Sequence, residues 1–212
     1  MLERFRQFWT NVWSPLADFL LRRGVTPDQV TVVGTIGVCF GALFFFPRGE
    51  LFWGVIVITA FVFSDIMDGY MARQSGQASK WGAFLDSTLD RVGDAAIFGG
   101  LAIYYVSSHA EADLGSTRTY FYLSLACLVL GSVTSYARAK AESLGMTAKG
   151  GIAERADRLV SILVLTGFNG LLGWNFLTEI MLWILAAASL ITVFQRMVIV
   201  HRQAVQNPDL PA

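Results

Sequence analysis

The sequence has few charged residues, few cysteines and few histidines for its length. Only 15% of its 212 residues are charged, whereas soluble domains average about 25%. Two cysteines, Cys39 and Cys127, lie inside apolar runs and indicate small core residues, and with two histidines they form neither a disulfide framework nor a zinc site. Lys plus Arg and Asp plus Glu each number 16, so the net charge indicates no nucleic-acid partner. These shortages exclude a disordered chain, a coiled coil and most soluble enzymes.

Apolar residues are abundant instead, at 54% of the chain, and the mean hydropathy is +0.52. A bilayer span needs about 20 mostly apolar residues, so the chain has room for roughly six. Six apolar runs lie at about 28–46, 51–72, 81–106, 120–141, 158–174 and 178–200. We therefore predict an all-α integral membrane protein with six transmembrane helices in a domain spanning 25–205, followed by a C-terminal tail at 206–212.

Residues 1–24 form a separate segment with a different pattern. Aromatic and aliphatic side chains, among them Phe5, Trp9 and Trp13, recur at spacings of three and four, and polar residues lie mostly between them. This pattern predicts an amphipathic helix in the headgroup plane, which ends at Gly24. A helix packed against the membrane bundle is the alternative.

The positive charges are unevenly distributed between the two ends of the predicted spans. If the N-terminus is cytoplasmic, only Arg48 and Arg118 of the 16 Lys and Arg residues lie on the opposite face. Such a bias sets membrane orientation. We expect a multi-pass protein of the cell membrane with both termini in the cytoplasm.

Acidic residues lie where the second span ends and the third begins, although spans normally exclude them. At 100° per residue, Asp65 and Asp68 lie within about 60° of each other, and Gly82, Asp86 and Asp90 within about 80°. Two antiparallel helices can therefore direct four carboxylates at one another near the cytoplasmic surface. Their repulsion requires a cation between them, and oxygen ligands favour Mg²⁺ or Mn²⁺.

Residues 65–90 also match a known signature. The pattern D-x2-D-G-x2-A-R-x8-G-x3-D-x3-D is present at every fixed position, and it resembles that of the CDP-alcohol phosphotransferases. The resemblance implies a dimeric six-helix bundle that transfers a phosphatidyl group from CDP-diacylglycerol to an alcohol and releases CMP. It also implies a cytoplasmic-face active site with two divalent ions.

The resemblance assigns roles residue by residue. It implies metal binding by Asp65, Asp68, Asp86 and Asp90, with Asp90 also the catalytic base. It implies CDP-diacylglycerol binding by Gly69, Ala72, Arg73 and Gly82, together with Asp28 and Thr31 in the first-span segment Thr-Pro-Asp-Gln-Val-Thr.

A second group of charges bears on the acceptor. Several arginines end or begin spans on the side of the acids, and converging guanidinium groups suit a phosphate dianion. The predicted acceptor-phosphate residues are Arg138, Arg155, Arg158 and Arg196. The family resemblance implies that Ser135 belongs to the same pocket. The plainer interpretation is that these are cytoplasmic arginines reaching lipid headgroups.

The run from Ser135 to Leu159 resembles the branch of the family that uses inositol phosphate, 1D-myo-inositol 3-phosphate, as acceptor. Arg138 departs from that branch, in which lysine is expected. Glycerol 3-phosphate, free inositol or another alcohol stay as alternatives. A cation transporter would also contain acids among its helices, but these would be expected at the bilayer midplane.

Overall fold

The structure, a computed structural model, describes residues 14–76, 78–107 and 114–206, apart from the side chains of residues 65, 66, 114 and 116. Within these ranges every regular element is a helix. The helices are α1 (14–22), α2 (Pro27–Phe40), α3 (Leu51–Val62), α4 (Ser64–Gln74), α5 (Lys80–Val106), α6 (Leu114–Ser143), α7 (Arg155–Leu172) and α8 (Asn175–Gln206).

Six of these helices close into a ring. Going round it, α2 packs on α5, α5 on α6, α6 on α8, α8 on α7, α7 on α3, and α3 back on α2. The ring encloses a continuous apolar core, and its largest fully buried apolar members include Phe46, Ile58, Phe98, Ile162 and Leu182. Between membrane helices such side chains stabilise the bundle through van der Waals packing, because lipid tails are as apolar as the core.

The helix boundaries agree with the apolar runs of the sequence. Thr26 caps α2 with a reciprocal capping box to Gln29, and Gly24 in the left-handed region (φ +80°) ends α1. After α2 the helix continues through a π-helical turn, Gly41–Phe45, and a 3-10 turn, Phe46–Arg48, before Gly49 (φ +77°) breaks it. The π-helical turn is a feature that the sequence pattern did not predict.

Four helical stretches of the described residues are long and apolar enough to cross a membrane: Pro27–Arg48, Leu51–Gln74, Thr117–Ser143 and Asn175–Gln206. The fold is thus all-helical with four candidate spans. The predicted third and fifth spans exist as α5 and α7, but charged residues occupy their first turns. Past Asp94 and Arg158 only 95–106 and 159–172 are free of charge, shorter than a bilayer span.

The N-terminal prediction is only partly covered, because residues 1–13 lie outside the described ranges, as do 207–212 of the predicted tail. Residues 14–22 are helical and pack on the bundle. Ala17 is fully buried against Val30 and Met71, and Tyr70 donates a hydrogen bond to Asp18. Phe19 of the same helix remains exposed.

Candidate active site at one end of the helical ring

Signature residues of α4 meet α2 because the two helices approach closely. A Cβ at Gly34 would lie 1.8 Å from Ser64 Oγ at the start of α4, so only glycine permits this contact. One turn from that contact, Thr31 donates a hydrogen bond to Oδ2 of Asp68. Asp68 is 7% exposed, and the bond fixes the orientation of a buried carboxylate.

The start of α5 also faces α2. Ser79 caps α5 by accepting a hydrogen bond from the Gly82 N–H. A Cβ at Gly82 would lie 3.5 Å from Oδ1 of Asp28. Asp28 of the first-span segment therefore lies beside the signature glycine.

The remaining signature residues line the outer side of this region. The Arg73 guanidinium lies over Gly69, with Nη1 3.5 Å from where a Cβ would be. Arg73 and Asp86 are exposed, and Ala72 is half-buried. The side chain of Asp65 is outside the described part of the structure. Among the described residues, no three Asp, Glu, His or Cys side chains form a group that could hold a metal ion.

Asp90 belongs to a closed ring of alternating charges. Its Oδ1 lies 2.8 Å from Arg155 Nη2, and its Oδ2 lies 3.7 Å from Arg91 Nη2. The same two arginines reach Asp94, with Arg155 Nε 3.1 Å from Oδ1 and Arg91 Nη1 2.9 Å from Oδ2. Each carboxylate thus gives one oxygen to each arginine. The arginine side chains are 30% and 28% exposed, so the ring borders an accessible surface.

Ser135 and Arg158 attach to this ring from α6 and α7. Arg91 Nη1 also donates to Ser135 Oγ. Arg158 is 2% exposed, packs over Gly131, and lies 3.9 Å from Oδ2 of Asp94. Its Nη1 donates to the carbonyl of Ala153 at 3.1 Å. Four of the predicted site residues, Asp90, Ser135, Arg155 and Arg158, therefore converge.

Arg196 and Arg138 lie apart from the ring of charges formed by Asp90, Arg91, Asp94 and Arg155. Arg196 is 4% exposed, and it donates to the Thr134 carbonyl at 2.6 Å and to the Gly150 carbonyl at 3.2 Å. Arg138, one turn beyond Thr134 on α6, is exposed and pairs with Glu142 at 2.9 Å. Both are near the predicted pocket, but protein partners occupy the contacts described.

The α6–α7 loop is fastened to α8 over three turns. Besides Arg196, Thr192 Oγ1 accepts a hydrogen bond from the Ala153 N–H at 3.1 Å. Further along, the Gln203 amide both accepts from the Thr147 N–H and donates to the Thr147 carbonyl. The loop that leads into Arg155 is thereby held in one position.

Two residues of this cluster were not assigned a role from the sequence. Arg91 contacts two predicted site residues, Asp90 and Ser135, and also pairs with Asp94. Nothing in the sequence pattern distinguishes it from an ordinary cytoplasmic arginine. Asp94 is one turn beyond Asp90, so its helical spacing places it on the same stripe.

The sequence profile of the CDP-alcohol phosphatidyltransferase family matches residues 24–194. Phosphatidylinositol phosphate synthase of Streptomyces avermitilis is 52% identical over 213 residues, covering 97% of this chain and 85% of the relative. The synthase of the same name from Cutibacterium acnes is 50% identical over 209 residues, covering 95% of this chain and 98% of the relative.

Two solved structures of Mycobacterium tuberculosis phosphatidylinositol phosphate synthase are also similar. The complex with manganese and citrate has a TM-score of 0.82 at 40% identity, covering 88% of each chain. The structure with CDP-DAG bound has a TM-score of 0.80 at 39% identity, covering 90% of this chain and 94% of the other. The predicted signature and the observed helical ring agree with these likenesses, and the chain belongs to the CDP-alcohol phosphatidyltransferase family.

Proposed function

We propose that this protein transfers the phosphatidyl group of CDP-diacylglycerol to inositol phosphate, giving phosphatidylinositol phosphate and CMP. The choice of acceptor rests on the arginine cluster around Asp90. This cluster lies apart from Asp28, Arg73 and Gly82, which we assign to the donor nucleotide. A phosphorylated acceptor needs cations of its own, because the donor diphosphate has separate partners. The names of the relatives support inositol phosphate over glycerol 3-phosphate.

The chemistry of the signature side chains fits a divalent cation. Asp68 supplies a buried carboxylate held by Thr31, and only oxygen ligands are offered by the four signature acids. Asp65, Asp68, Asp86 and Asp90 would hold Mg²⁺ or Mn²⁺, in our proposal as two ions. The ions would offset the diphosphate charge and the charge developing on departing CMP.

The donor nucleotide binds on the α2, α4 and α5 side. Gly69, Ala72 and Gly82 leave space for the diphosphate and sugar against the helix backbones, and Arg73 supplies a cation at the exposed edge. Asp28 and Thr31 face this space from α2, where Asp28 adjoins Gly82. The lipid tails remain in the bilayer while the headgroup reacts.

Asp90 is the proposed catalytic base. The acceptor hydroxyl oxygen attacks the phosphatidyl phosphorus, the bond from that phosphorus to the CMP oxygen breaks, and the hydroxyl proton passes to a carboxylate oxygen of Asp90. Arg155 holds Oδ1 of Asp90 at 2.8 Å. An acceptor phosphate that attracts Arg155 would release this oxygen, which would link acceptor binding to the availability of the base.

The acceptor phosphate lies on the other side of Asp90. Arg155 is the strongest candidate because it is partly exposed and points at the base. Ser135, Arg138, Arg158 and Arg196 complete the proposed pocket. Of these, Arg158 and Arg196 are buried and bonded to backbone carbonyls, which suits them to shape the pocket wall.

The membrane arrangement is part of the proposal. At 1.5 Å per residue, α5 is ~40 Å long, which exceeds the ~30 Å thickness of the bilayer core, and α7 is ~27 Å long, which nearly matches it. Both helices pack in the helical ring beside candidate spans. We therefore propose six spans in a cell-membrane homodimer, with residues 1–24 as an interfacial helix. The site and both described chain ends lie at one end of the ring, which we assign to the cytoplasm.

One assay tests the function directly. Purified protein in detergent is given CDP-diacylglycerol with inositol phosphate, glycerol 3-phosphate or inositol in parallel, with and without Mg²⁺ or Mn²⁺, and CMP release is measured. We expect metal-dependent release with inositol phosphate. Faster release with glycerol 3-phosphate would replace the acceptor, and no release with any alcohol would overturn the proposal.

A further inference from the structure

Asp94 has no role in the reaction proposed above, yet three guanidinium groups lie within 4 Å of its carboxylate. It is 7% exposed and lies one turn beyond Asp90 on α5. Its two oxygens lie 3.1 Å from Arg155 Nε and 2.9 Å from Arg91 Nη1, and Arg158 follows at 3.9 Å. A buried carboxylate with three guanidinium neighbours organises their positions.

The distances separate two possible purposes for this carboxylate. If Asp94 served only to neutralise the buried Arg158, its shortest contact would be to that residue. Its short contacts go instead to Arg91 and Arg155, whose side chains are partly exposed. Arg158 has an additional partner in the Ala153 carbonyl at 3.1 Å. Asp94 is therefore directed at the accessible arginines.

Both accessible arginines also contact Asp90, but with a different atom. Arg155 uses Nη2 for Asp90 and Nε for Asp94, while Arg91 uses Nη2 for Asp90 and Nη1 for Asp94. Because different atoms make the two sets of contacts, a turn of Asp90 toward a metal ion or the acceptor hydroxyl would leave the contacts to Asp94 in place. The guanidinium planes would then keep their orientation, with the Nη2 groups that face Asp90 directed at the acceptor.

We propose that Asp94 is the positioning residue of the acceptor pocket and that, through it, Arg91 joins Arg155 in binding the acceptor phosphate. This inference rests on the proposed function only in requiring a phosphorylated acceptor. Asp94 itself touches no substrate. Ser135, which accepts from Arg91, fixes the second arginine from the α6 side.

The test compares Asp94→Asn with Asp157→Asn, the same change on an exposed residue of α7. Steady-state CMP release is measured against both substrates for each variant. We expect Asp94→Asn to raise the KM for inositol phosphate about ten- to a hundred-fold, the cost of weakening a charge-assisted phosphate contact. The KM for CDP-diacylglycerol stays within about two-fold, and Asp157→Asn resembles the wild type.

A mutant cycle separates positioning from general support of the fold. If Asp94 acts through the two arginines, Asp94→Asn adds little to the acceptor KM in an Arg91→Ala/Arg155→Ala background, because coupled residues are not additive. An effect of Asp94→Asn in that background as large as its effect in the wild type would overturn the inference. So would an equal rise in both KM values, or an acceptor KM that Asp94→Asn leaves unchanged.

Loss of Asp94 leaves three arginines near one another, so the Asn variant is paired with Asp94→Glu. Glutamate keeps the charge but shifts it by one methylene group, and we expect a smaller rise in acceptor KM with normal folding. A wild-type KM for the acceptor in folded Asp94→Glu argues against positioning, even if Asp94→Asn fails to fold.

The proposed function fails separately. Wild-type protein that uses glycerol 3-phosphate but not inositol phosphate removes the acceptor assignment, and the Asp94 cycle is then run with glycerol 3-phosphate. Wild-type protein that uses only unphosphorylated inositol overturns both proposals.

Discussion

The two halves of the site differ in how their charges are balanced. On the α2, α4 and α5 side, Asp28 and Asp86 make no ion pair among the described residues, and Arg73 lies exposed. On the α6, α7 and α8 side, Arg91, Arg155 and Arg158 share the carboxylates of Asp90 and Asp94. One half offers carboxylates for an added cation, whereas in the other half two carboxylates already offset two of the three arginine charges.

This difference has a physical consequence for binding. Carboxylates that bind a divalent ion need no protein counter-ion, because the ion supplies the positive charge. Arginines that bind a phosphate must keep their charge and geometry before the phosphate arrives, and buried charges without partners are costly. Asp90 lies at the border and belongs to both halves.

The largest expected effect comes from the carboxylate half. Asp86→Asn removes a proposed metal ligand that is exposed and makes no contact essential to the fold. Altering even groups behind a metal ligand lowers activity about ten- to a hundred-fold, so we expect removal of the ligand itself in Asp86→Asn to abolish metal-dependent activity. Metal-dependent CMP release is the measurement. Activity equal to that of Asp157→Asn, which carries the same change at an exposed residue outside the proposed ligands, would contradict the assignment.

Asp90, which belongs to both halves of the site, gives the second largest expected effect. Asp90→Asn removes the proposed base, and loss of general-base catalysis lowers kcat about 10²- to 10⁴-fold. Binding of CDP-diacylglycerol, measured by equilibrium titration of detergent-purified protein, should fall far less. Equal losses in affinity and rate would mean that Asp90 serves only as a ligand.

A variant in one half of the site serves as the control for a variant in the other half. Arg155→Ala should raise the KM for inositol phosphate about ten- to a hundred-fold and leave the KM for CDP-diacylglycerol nearly unchanged. Arg73→Ala should do the reverse. If either variant raises both KM values together, its arginine is shared by the two substrates and the division between the halves is wrong.

Much of the carboxylate half could be predicted from the sequence, because it lies on two consecutive helices. Helical spacing places Asp68 on one face of α4 and Asp86 on one face of α5, and the helix boundaries follow the apolar runs. The approach of Asp28 to Gly82 was not predicted, because no local periodicity relates α2 to α5 and the resemblance gave each residue only a role at the nucleotide. The close contact of α2 with α4 at Gly34 was likewise visible only in the folded structure.

The arginine half was less predictable, because its contacts join four helices far apart in sequence. Position within the chain indicated that Arg155, Arg158 and Arg196 share one layer. It did not indicate which guanidinium faces the pocket and which bonds to backbone. The predicted number of spans, six, also differs from the four candidate spans of the described residues. The charges near Asp90 and Arg158 shorten the apolar parts of α5 and α7.

Arg196 is therefore expected to act more through stability than Arg155 does. Arg196→Ala removes the donor for the Thr134 and Gly150 carbonyls, and a hydrogen bond to a charged group contributes about 1.5–3 kcal/mol. The midpoint of thermal unfolding should fall clearly. Arg202→Ala, an exposed position on the same helix, should change stability by about 0.5 kcal/mol or less. An unchanged midpoint for Arg196→Ala would show that these carbonyl contacts are unimportant.

The smallest expected effect lies at the rim of the arginine half. Arg138 and Glu142 are both about half exposed, with side-chain exposures of 47% and 48%, and such pairs contribute about 0–1 kcal/mol. Arg138→Ala should therefore raise the acceptor KM by about five-fold at most. Arg138→Lys should leave it unchanged, because a rim position needs a positive charge but no fork of donors.

Both variants are compared with Arg155→Ala and Arg155→Lys in the same assay. A rise with Arg138→Ala as large as that with Arg155→Ala would place Arg138 in direct contact with the phosphate. A loss with Arg138→Lys would then show that the contact requires the geometry of a guanidinium group.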